Sequence, residues 1–302
     1  MVSAMSSSEV PQLFDAVKAD FALARAMRQG PATFLLDRLA EDLIERLAPV
    51  LRDFDPVLDL GTPGGAFAEA LKRVRQAGSL THLGWPHAPT VSSQNVTLPD
   101  AMLSPQMFAL IVSGALLHRV NDVPGLLSQA RRALKPDGLF LAAFPGGDTL
   151  HELRDCLLNA EAELTGAATM RVFPFVDVRS AGQLLQRAGF ALPVADSDRI
   201  TIRYASLAAL LNDLRAMGQS AVAMHRSQAP GLTRAILLRT AELYAKRYAD
   251  GDGRLRATID VVWMSGWSPH ESQQQPLKPG SAKTRLADAL VQISRSSKAS
   301  ET

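Results

Sequence analysis

A glycine-rich turn after a short apolar strand is the segment of this chain whose residue types most clearly indicate ligand chemistry. Val57–Leu60 is apolar except for Asp59, and Gly61, Gly64 and Gly65 follow it ahead of a predicted helix. Glycine lets the backbone adopt positive φ and approach a ligand closely, so this order of strand, turn and helix is typical of nucleotide-like cofactor sites. We therefore predict a cofactor loop at this position.

Pro63 departs from what such a loop needs. Proline has no backbone N–H and a fixed φ, and it keeps the preceding residue, Thr62, out of the α region. The loop has therefore lost one hydrogen-bond donor and part of its conformational freedom. Whether the chain still binds a cofactor is the functional question that this sequence raises.

Polar residues that follow two of the predicted strands form a second, less specific set of candidates. We predict that they build a surface for a substrate or a protein partner; the alternative is a structural role in their loops. A lone His–Glu pair lacks the further ligands that a metal needs, so no metal site is predicted, and no spacing assigns a catalytic residue. The members of the set are His118, Asn121, Asp122, His270, Glu271, Gln273, Gln274 and Lys278.

The composition of the 302-residue chain is that of a globular protein, with 47% hydrophobic and 21% charged residues. A net charge of +2, from 32 basic and 30 acidic residues, argues against a nucleic-acid partner. No apolar run reaches the roughly 18 residues of a membrane helix, and the first residues do not resemble a secretion signal. With a single cysteine, Cys156, these features predict a cytoplasmic protein without internal disulfides.

The hydrophobic pattern predicts alternating strands and helices, and therefore a doubly wound α/β sheet. Near-continuous apolar runs, such as residues 108–112, are typical of strands that are covered on both faces. Thr149 and Glu152 have the spacing of a capping box at the start of a helix, and Arg171 is expected to be a solvated surface charge. The predicted strands lie at residues 57–60, 79–85, 107–113, 139–144, 200–204 and 257–267.

The predicted elements divide the chain into three parts. Residues 1–52 form an N-terminal helical segment, and residues 53–292 form the α/β domain. A helical insertion at about residues 206–250 lies before the last strand of that domain. Residues 293–302, which are rich in Ser, are predicted to be a disordered tail.

Several segments carry a resemblance to a known family. The sequence LKPDGLF at residues 134–140 resembles the turn before the fifth strand of class I S-adenosylmethionine-dependent methyltransferases. A narrower resemblance, to the alphaproteobacterial type of the methyltransferase-fold assembly factors of respiratory complex I, covers about residues 12–290. Malonyl-carrier-protein methyltransferases of biotin synthesis are more distant relatives. The narrower resemblance is carried by HRVNDVPG (118–125), AEAELTG (160–166), GWSPHESQQ (266–274) and PLKPGSAK (276–283).

This resemblance implies a fold, a cofactor and a partner. The fold would be a Rossmann-like sheet of seven strands, the last of them antiparallel to its neighbours, with N-terminal helices. The cofactor of an active member would be S-adenosylmethionine. The complex I assembly factors are linked to arginine hydroxylation of a complex I subunit, so the implied partner is a complex I subunit or an assembly protein.

The family pattern is only partly present at the cofactor site. The family loop is D-L-G-C-G-T-G, which Asp59, Leu60, Gly61 and Gly65 match and from which Thr62, Pro63 and Gly64 depart. An acid after the second strand is also required, and residues 70–99 contain no Asp or Glu. A further acid belongs where Thr97 stands, with Asp100 three residues out of register. Two missing acids remove about 3–6 kcal/mol of binding energy, or about two to four powers of ten in affinity.

Two functions are compatible with these residues. We favour a protein without a bound cofactor that acts by binding a protein partner. The alternative is an active S-adenosylmethionine-dependent methyltransferase, or an arginine-modifying enzyme, with an atypical loop. The substrate, the partner and the oligomeric state stay open. The residues that would still contact a cofactor are Asp59, Gly61, Gly64, Gly65 and Ser113.

Overall fold

A computed structural model describes residues 13–74, 77–84, 104–172, 175–219 and 231–274 of the chain. Its contacts divide the chain into two units, residues 1–269 and residues 270–302. The described part of the first unit contains six strands and eight α-helices, which alternate along much of the chain. This alternation is the α/β architecture that the hydrophobic pattern predicts.

The strands form one mixed sheet in the order β2-β1-β3-β4-β6-β5. The first four strands are parallel, and β6 runs antiparallel to both β4 and β5. The predicted antiparallel last strand is therefore confirmed. The described residues contain six strands rather than the seven expected. The strands are β1 (Val57–Leu60), β2 (Leu80–Leu83), β3 (Phe108–Gly114), β4 (Leu134–Gly146), β5 (Ala191–Tyr204) and β6 (Leu255–Trp267).

Two helices precede the sheet, and two more, α7 and α8, lie in the helical insertion between β5 and β6. Five of the helices begin at a side-chain cap, in which Asp15, Asp122, Asp177, Ser206 or Thr233 accepts a backbone N–H of the first turn. The helices are α1 (Ala16–Gln29), α2 (Phe34–Leu47), α3 (Ala66–Leu71), α4 (Val123–Ala133), α5 (His151–Thr165), α6 (Val178–Arg187), α7 (Leu207–Ala216) and α8 (Arg234–Tyr248).

Each face of the sheet carries its own hydrophobic core. Because side chains alternate along a strand, Leu110 and Val112 of β3 point into one core and Ile111 points into the other. Residues of α2, α3, α5, α7 and α8 complete the first core, and residues of α1, α4 and α6 complete the second. Leu58, Leu60, Ile111, Val112, Leu139 and Leu141 are accordingly all buried.

Two strands are longer than the sequence predicted. β4 begins at Leu134, which pairs with Phe108. The next pair is Leu110 with Leu139, so residues 135–138 bulge out of the ladder. β5 begins at Ala191 rather than at residue 200 and lies at the edge of the sheet. One side of an edge strand faces solvent, so polar residues replace the apolar run from which strands were predicted.

Candidate functional site

The loop after β1 adopts the geometry that its glycines allow. Gly64 and Gly65 have φ values of 62° and 69°, in the left-handed region. Pro63 is the first residue of a single 3-10 turn. An N–H at this position would have no hydrogen-bond partner within the turn, so proline is tolerated there. Gly65 closes this turn by donating its N–H to the carbonyl of Thr62 at 3.0 Å. Pro63 is thus compatible with an ordered loop.

Asp59 and Thr62 hold this loop to the sheet. The fully buried Asp59 carboxylate accepts hydrogen bonds from the Thr62 hydroxyl and, at 2.9 Å, from the N–H of Ala68 in α3. Thr62 Oγ1 in turn accepts the N–H of Gly114 at the end of β3, at 2.9 Å. The polar groups of Asp59 and Thr62 are therefore used within the protein, and Thr62, which departs from the family pattern, is a central member of the network.

His82 of β2 is a third member of this network, which sequence reasoning missed. Its Nδ1 lies 3.2 Å from Asp59 Oδ2, because Asp59 and His82 are register partners in the parallel pair β1–β2. Burial lowers the pKa of His82, but hydrogen bonding to Asp59 and its charge outweigh burial and raise the pKa overall. The sequence alone does not predict this pairing, because it depends on β1 and β2 being neighbours in the sheet.

Apolar side chains of the same chain cover two of the loop glycines. A Cβ atom at Gly61 would lie 2.7 Å from Cδ2 of Leu116. At Gly64, a Cβ atom would lie 2.9 Å from Cε of Met27 in α1. Leu116 and Met27 therefore occupy the space that a side chain at Gly61 or Gly64 would need.

Ser113 also forms a bond within the protein. It is almost fully buried, and its hydroxyl donates to the carbonyl of Leu60 at 2.8 Å. This bond joins β3 to the end of β1. The loop residues and Ser113 thus lie together at the carboxyl ends of the neighbouring strands β1 and β3.

Two cavities share part of their walls, and the smaller of them borders the loop. The smaller, of about 190 Å³, is lined by Met27, Pro63, Gly64, Ala66 and Ala115, among others. The larger has a volume of about 340 Å³, within the range of roughly 300–1,000 Å³ of small-molecule sites. Their walls share Leu35, Pro145, Met217, Gln219 and Ile259.

His118 lies in the wall of the larger cavity. Its Nε2 is 3.0 Å from Oε1 of Gln219, which also lines the cavity. Burial, assisted by the charge of Arg119, lowers the pKa of His118 from 6.5 to about 3. The imidazole is therefore neutral near pH 7, so Nε2 carries the proton and donates to the glutamine.

The other two candidates after β3 have structural contacts. Asn121 Oδ1 accepts the N–H groups of Leu13 and Phe14 at 2.9 and 2.8 Å, and its Nδ2 donates to the Phe14 carbonyl at 3.0 Å. Asp122 caps α4 by accepting the N–H of Gly125 at 2.8 Å. Asn121 thus anchors the segment before α1, and both contacts match the structural alternative for these residues.

The remaining candidates belong to the second unit of the chain. The N–H of His270 donates to Gln273 Oε1 at 3.2 Å, and His270 Nδ1 lies 2.7 Å from Oγ of Ser272. Glu271 and Gln274 are exposed. Within the described ranges, no three His, Cys, Asp or Glu side chains are grouped as metal ligands, and no helix is long and apolar enough to cross a membrane. Lys278, Thr97 and Asp100 lie outside the described residues.

Comparison with known proteins yields a family-level match. Residues 33–193 match the family model of a methyltransferase domain. The chain is 37% identical over 278 residues to the mitochondrial arginine-hydroxylase NDUFAF5 of Homo sapiens. The matched region covers 87% of this chain and 79% of that protein. It is 31% identical over 261 residues to the malonyl-[acyl-carrier protein] O-methyltransferase of Halorhodospira halophila, covering 81% of this chain and 84% of the relative.

A solved structure gives a consistent result for the fold. The YcgJ protein of Bacillus subtilis superposes with a TM-score of 0.51 over 76% of this chain and 98% of its own. The sequence identity is 12%, so this likeness bears on the fold alone.

Proposed function

This chain belongs to the methyltransferase-domain family that includes the mitochondrial arginine-hydroxylase NDUFAF5, and we propose that it acts by binding a protein partner. In this proposal its S-adenosylmethionine site is degenerate and no longer binds the cofactor. The partner is a subunit or assembly protein of respiratory complex I, as the family resemblance implies. The single cysteine supports a cytoplasmic location.

The state of the glycine loop is the observation that carries this proposal. A cofactor on such a loop needs open backbone and free hydrogen-bonding groups. Here Leu116 and Met27 pack on Gly61 and Gly64, and the Thr62 hydroxyl is committed to Asp59. These residues do not fit S-adenosylmethionine.

The charge at the end of β2 supports the same conclusion. A carboxylate there would accept hydrogen bonds from the ribose hydroxyls and attract the sulfonium cation. β2 (Leu80–Leu83) supplies no carboxylate, and its ionisable side chain, His82, lies against Asp59 at 3.2 Å. Residues 70–99 provide no acid that replaces the missing carboxylate.

Titration calorimetry of the full-length protein with S-adenosylmethionine tests this proposal. We expect no saturable heat at physiological cofactor concentrations. A variant with Leu116→Ala and Met27→Ala uncovers the loop, and we expect it to bind poorly until an acid is added by Trp85→Asp. A dissociation constant in the low micromolar range for the unmodified chain would overturn the proposal.

The alternative, an active methyltransferase or an arginine-modifying enzyme, is favoured by one observation. The smaller cavity lies directly against Pro63, Gly64 and Ala66 and leaves about 190 Å³ beside the loop. Transfer of a labelled methyl group from S-adenosylmethionine to a purified complex I subunit would establish the active methyltransferase.

Partner binding has its own test at the exposed Glu271. We propose that Glu271→Ala weakens binding to a purified complex I subunit and leaves the thermal midpoint unchanged, because an exposed side chain contributes little to folding. The matched control is Glu69→Ala, whose side chain is also exposed and lies on α3. An unchanged affinity together with a lower midpoint would favour a structural role for Glu271.

A further inference from the structure

The larger cavity is lined mainly by apolar side chains, and its volume suits a small organic molecule. Leucines of α5 and α7, together with Val172, Phe175 and Ile259, form much of its described wall. An apolar cavity of about 150 Å³ holds a molecule of the size of benzene, so the volume of about 340 Å³ suits a ligand of roughly 12 non-hydrogen atoms.

Gln219, a polar residue of this wall, is held in place by the turn that ends α7. The N–H of Gly218, whose φ is 71°, donates to the carbonyl of Arg215 at 3.0 Å, and the N–H of Gln219 donates to that of Leu214 at 2.8 Å. A Cβ atom at Gly218 would lie 2.8 Å from Cα of Leu23 in α1, so this turn requires glycine. The backbone therefore fixes where the Gln219 side chain begins.

The side chain of Gln219 is positioned by its neighbours in the same wall. Its Oε1 lies 3.0 Å from Nε2 of His118, and the rings of His118 and Phe175 have a centroid distance of 6.3 Å. All three residues line the cavity, so these distances place an amide, a neutral imidazole and a phenyl ring side by side. Among the described residues, the amide nitrogen of Gln219 has no hydrogen-bond partner. It is a donor that a ligand can use.

The charged side chains of the described wall are three arginines, and they do not call for a charged ligand. Arg171 is paired with Glu161, whose carboxylate accepts from its Nε and Nη2. Burial lowers the pKa of Arg119 to about 10, and the negative charge of Asp20 acts against this effect. Arg215 is exposed to solvent. A carboxylate would lose its hydration for arginines that already face an acid or water, and a cation meets no acid in the described wall.

We propose that the larger cavity binds an uncharged, mainly apolar carbonyl compound. The carbonyl oxygen accepts a hydrogen bond from the amide of Gln219, and the apolar body lies against Phe175 and the leucines of α5 and α7. Removing the apolar body from water supplies most of the affinity. The amide supplies selectivity, because a carbonyl that is buried without a donor loses its hydrogen bonds to water.

Calorimetry of the full-length protein with 4-phenylbutan-2-one tests this inference, and the result does not depend on whether S-adenosylmethionine binds. We expect saturable binding with a dissociation constant below about 1 mM. The anion 3-phenylpropanoate has nearly the same shape, with a carboxylate in place of the methyl ketone. We expect it to bind at least about tenfold more weakly, because its charge must be desolvated.

Variants test the hydrogen bond separately from the apolar contacts, with butylbenzene as the ligand that lacks a carbonyl. Gln219→Leu removes the amide at similar size. We expect it to weaken binding of 4-phenylbutan-2-one about three- to tenfold and to change that of butylbenzene by less than about twofold. Leu214→Phe narrows the cavity and should weaken both ligands. The matched control is Gln186→Leu, the same change at an exposed glutamine of α6 outside the described lining.

Three results would overturn the inference: no saturable binding of 4-phenylbutan-2-one, tighter binding of 3-phenylpropanoate than of the ketone, or an equal effect of Gln219→Leu on the ketone and on butylbenzene. Gln219 and Leu214 are only partly buried, so both variants are expected to fold. If Gln219→Leu nevertheless lowers the thermal midpoint, Gln219→Glu removes the amide N–H with little change of shape and tests the same hydrogen bond.

Discussion

At the residue scale, Thr62 makes two hydrogen bonds of opposite direction in the loop after β1. Its hydroxyl donates to the buried Asp59 carboxylate and accepts the N–H of Gly114. A cysteine, which the family pattern places here, is a weaker donor and acceptor. Thr62 therefore gives the loop internal stability, and exchanging it for the family residue has a cost in stability.

Thr62→Val removes this hydroxyl at nearly constant volume. The buried carboxylate and the Gly114 N–H then lose a partner, so we expect the free energy of unfolding to fall by about 2–4 kcal/mol in urea titration. Thr62→Ser restores most of the loss. Thr33→Val serves as the control, because the Thr33 hydroxyl also donates to an aspartate but is exposed; its expected loss is below about 0.5 kcal/mol. Equal losses at both sites would contradict this role of Thr62.

His118 makes stability depend on pH through its lowered pKa. The pKa is about 3 in the folded protein and ordinarily 6.5, so below about pH 6.5 the unfolded chain gains a proton that the folded protein does not bind. Between about pH 7.5 and pH 5, the wild type should therefore lose about 1–2 kcal/mol relative to His118→Gln. Urea titrations at both pH values measure the difference. If the free energies of unfolding of the wild type and His118→Gln differ by the same amount at both pH values, this would argue against a buried neutral His118.

At the scale of elements, the start of α5 shows a tertiary contact replacing a local one. The capping box predicted from Thr149 and Glu152 is wrong. The Glu152 carboxylate accepts the N–H and the hydroxyl of Thr258 in β6 at 3.1 and 2.6 Å, and Thr149 Oγ1 bonds to the backbone of Gly146 and Asp260. Both side chains thus connect the segment that begins α5 to the sheet.

The end of α5 is held by a buried ion pair that the sequence did not reveal. Arg171, expected to be a surface charge, is 5% exposed and pairs with Glu161. Removing one partner leaves the other charge buried, so we expect Arg171→Met to cost about 3–5 kcal/mol of stability. Adding Glu161→Leu removes the orphaned charge and should recover much of this loss. A double-mutant cycle in urea measures both effects, and additive losses would contradict a coupled pair.

At the scale of the whole molecule, the two cores share their strands. β3 sends Leu110 into one core and Ile111 into the other, and β6 does the same with Trp263 and Val262. Neither core can lose its packing while the sheet that carries the other stays intact. The described part of the first unit should therefore unfold cooperatively.

Trp263 provides a probe of this cooperativity, because it is 1% exposed and its ring stacks with Phe67 at a centroid distance of 6.4 Å. We expect urea transitions followed by tryptophan fluorescence and by far-ultraviolet circular dichroism to coincide. Separate midpoints would show that the two cores unfold independently.

The α/β class and the position of the glycine loop followed from the sequence by itself, and the antiparallel last strand was implied by the family resemblance. Apolar periodicity, glycine turns and helix caps act over a few residues, so they can be recognised within a short window of the chain. Residues 191–199 of β5 were missed for the same reason, because the exposed residues of an edge strand do not form the apolar run that marks a buried strand.

The contacts within the candidate site were decided by the tertiary structure. Thr62 and Gly114 are 52 residues apart, and His118 and Gln219 are 101 residues apart. The packing of Leu116 on Gly61 and the pairing of Asp59 with His82 likewise depend on which strands become neighbours in the sheet. A single sequence presents residue types but not such distances. The sequence therefore showed where the loop is, and only the folded chain showed that the Asp59 and Thr62 side chains form hydrogen bonds within the protein.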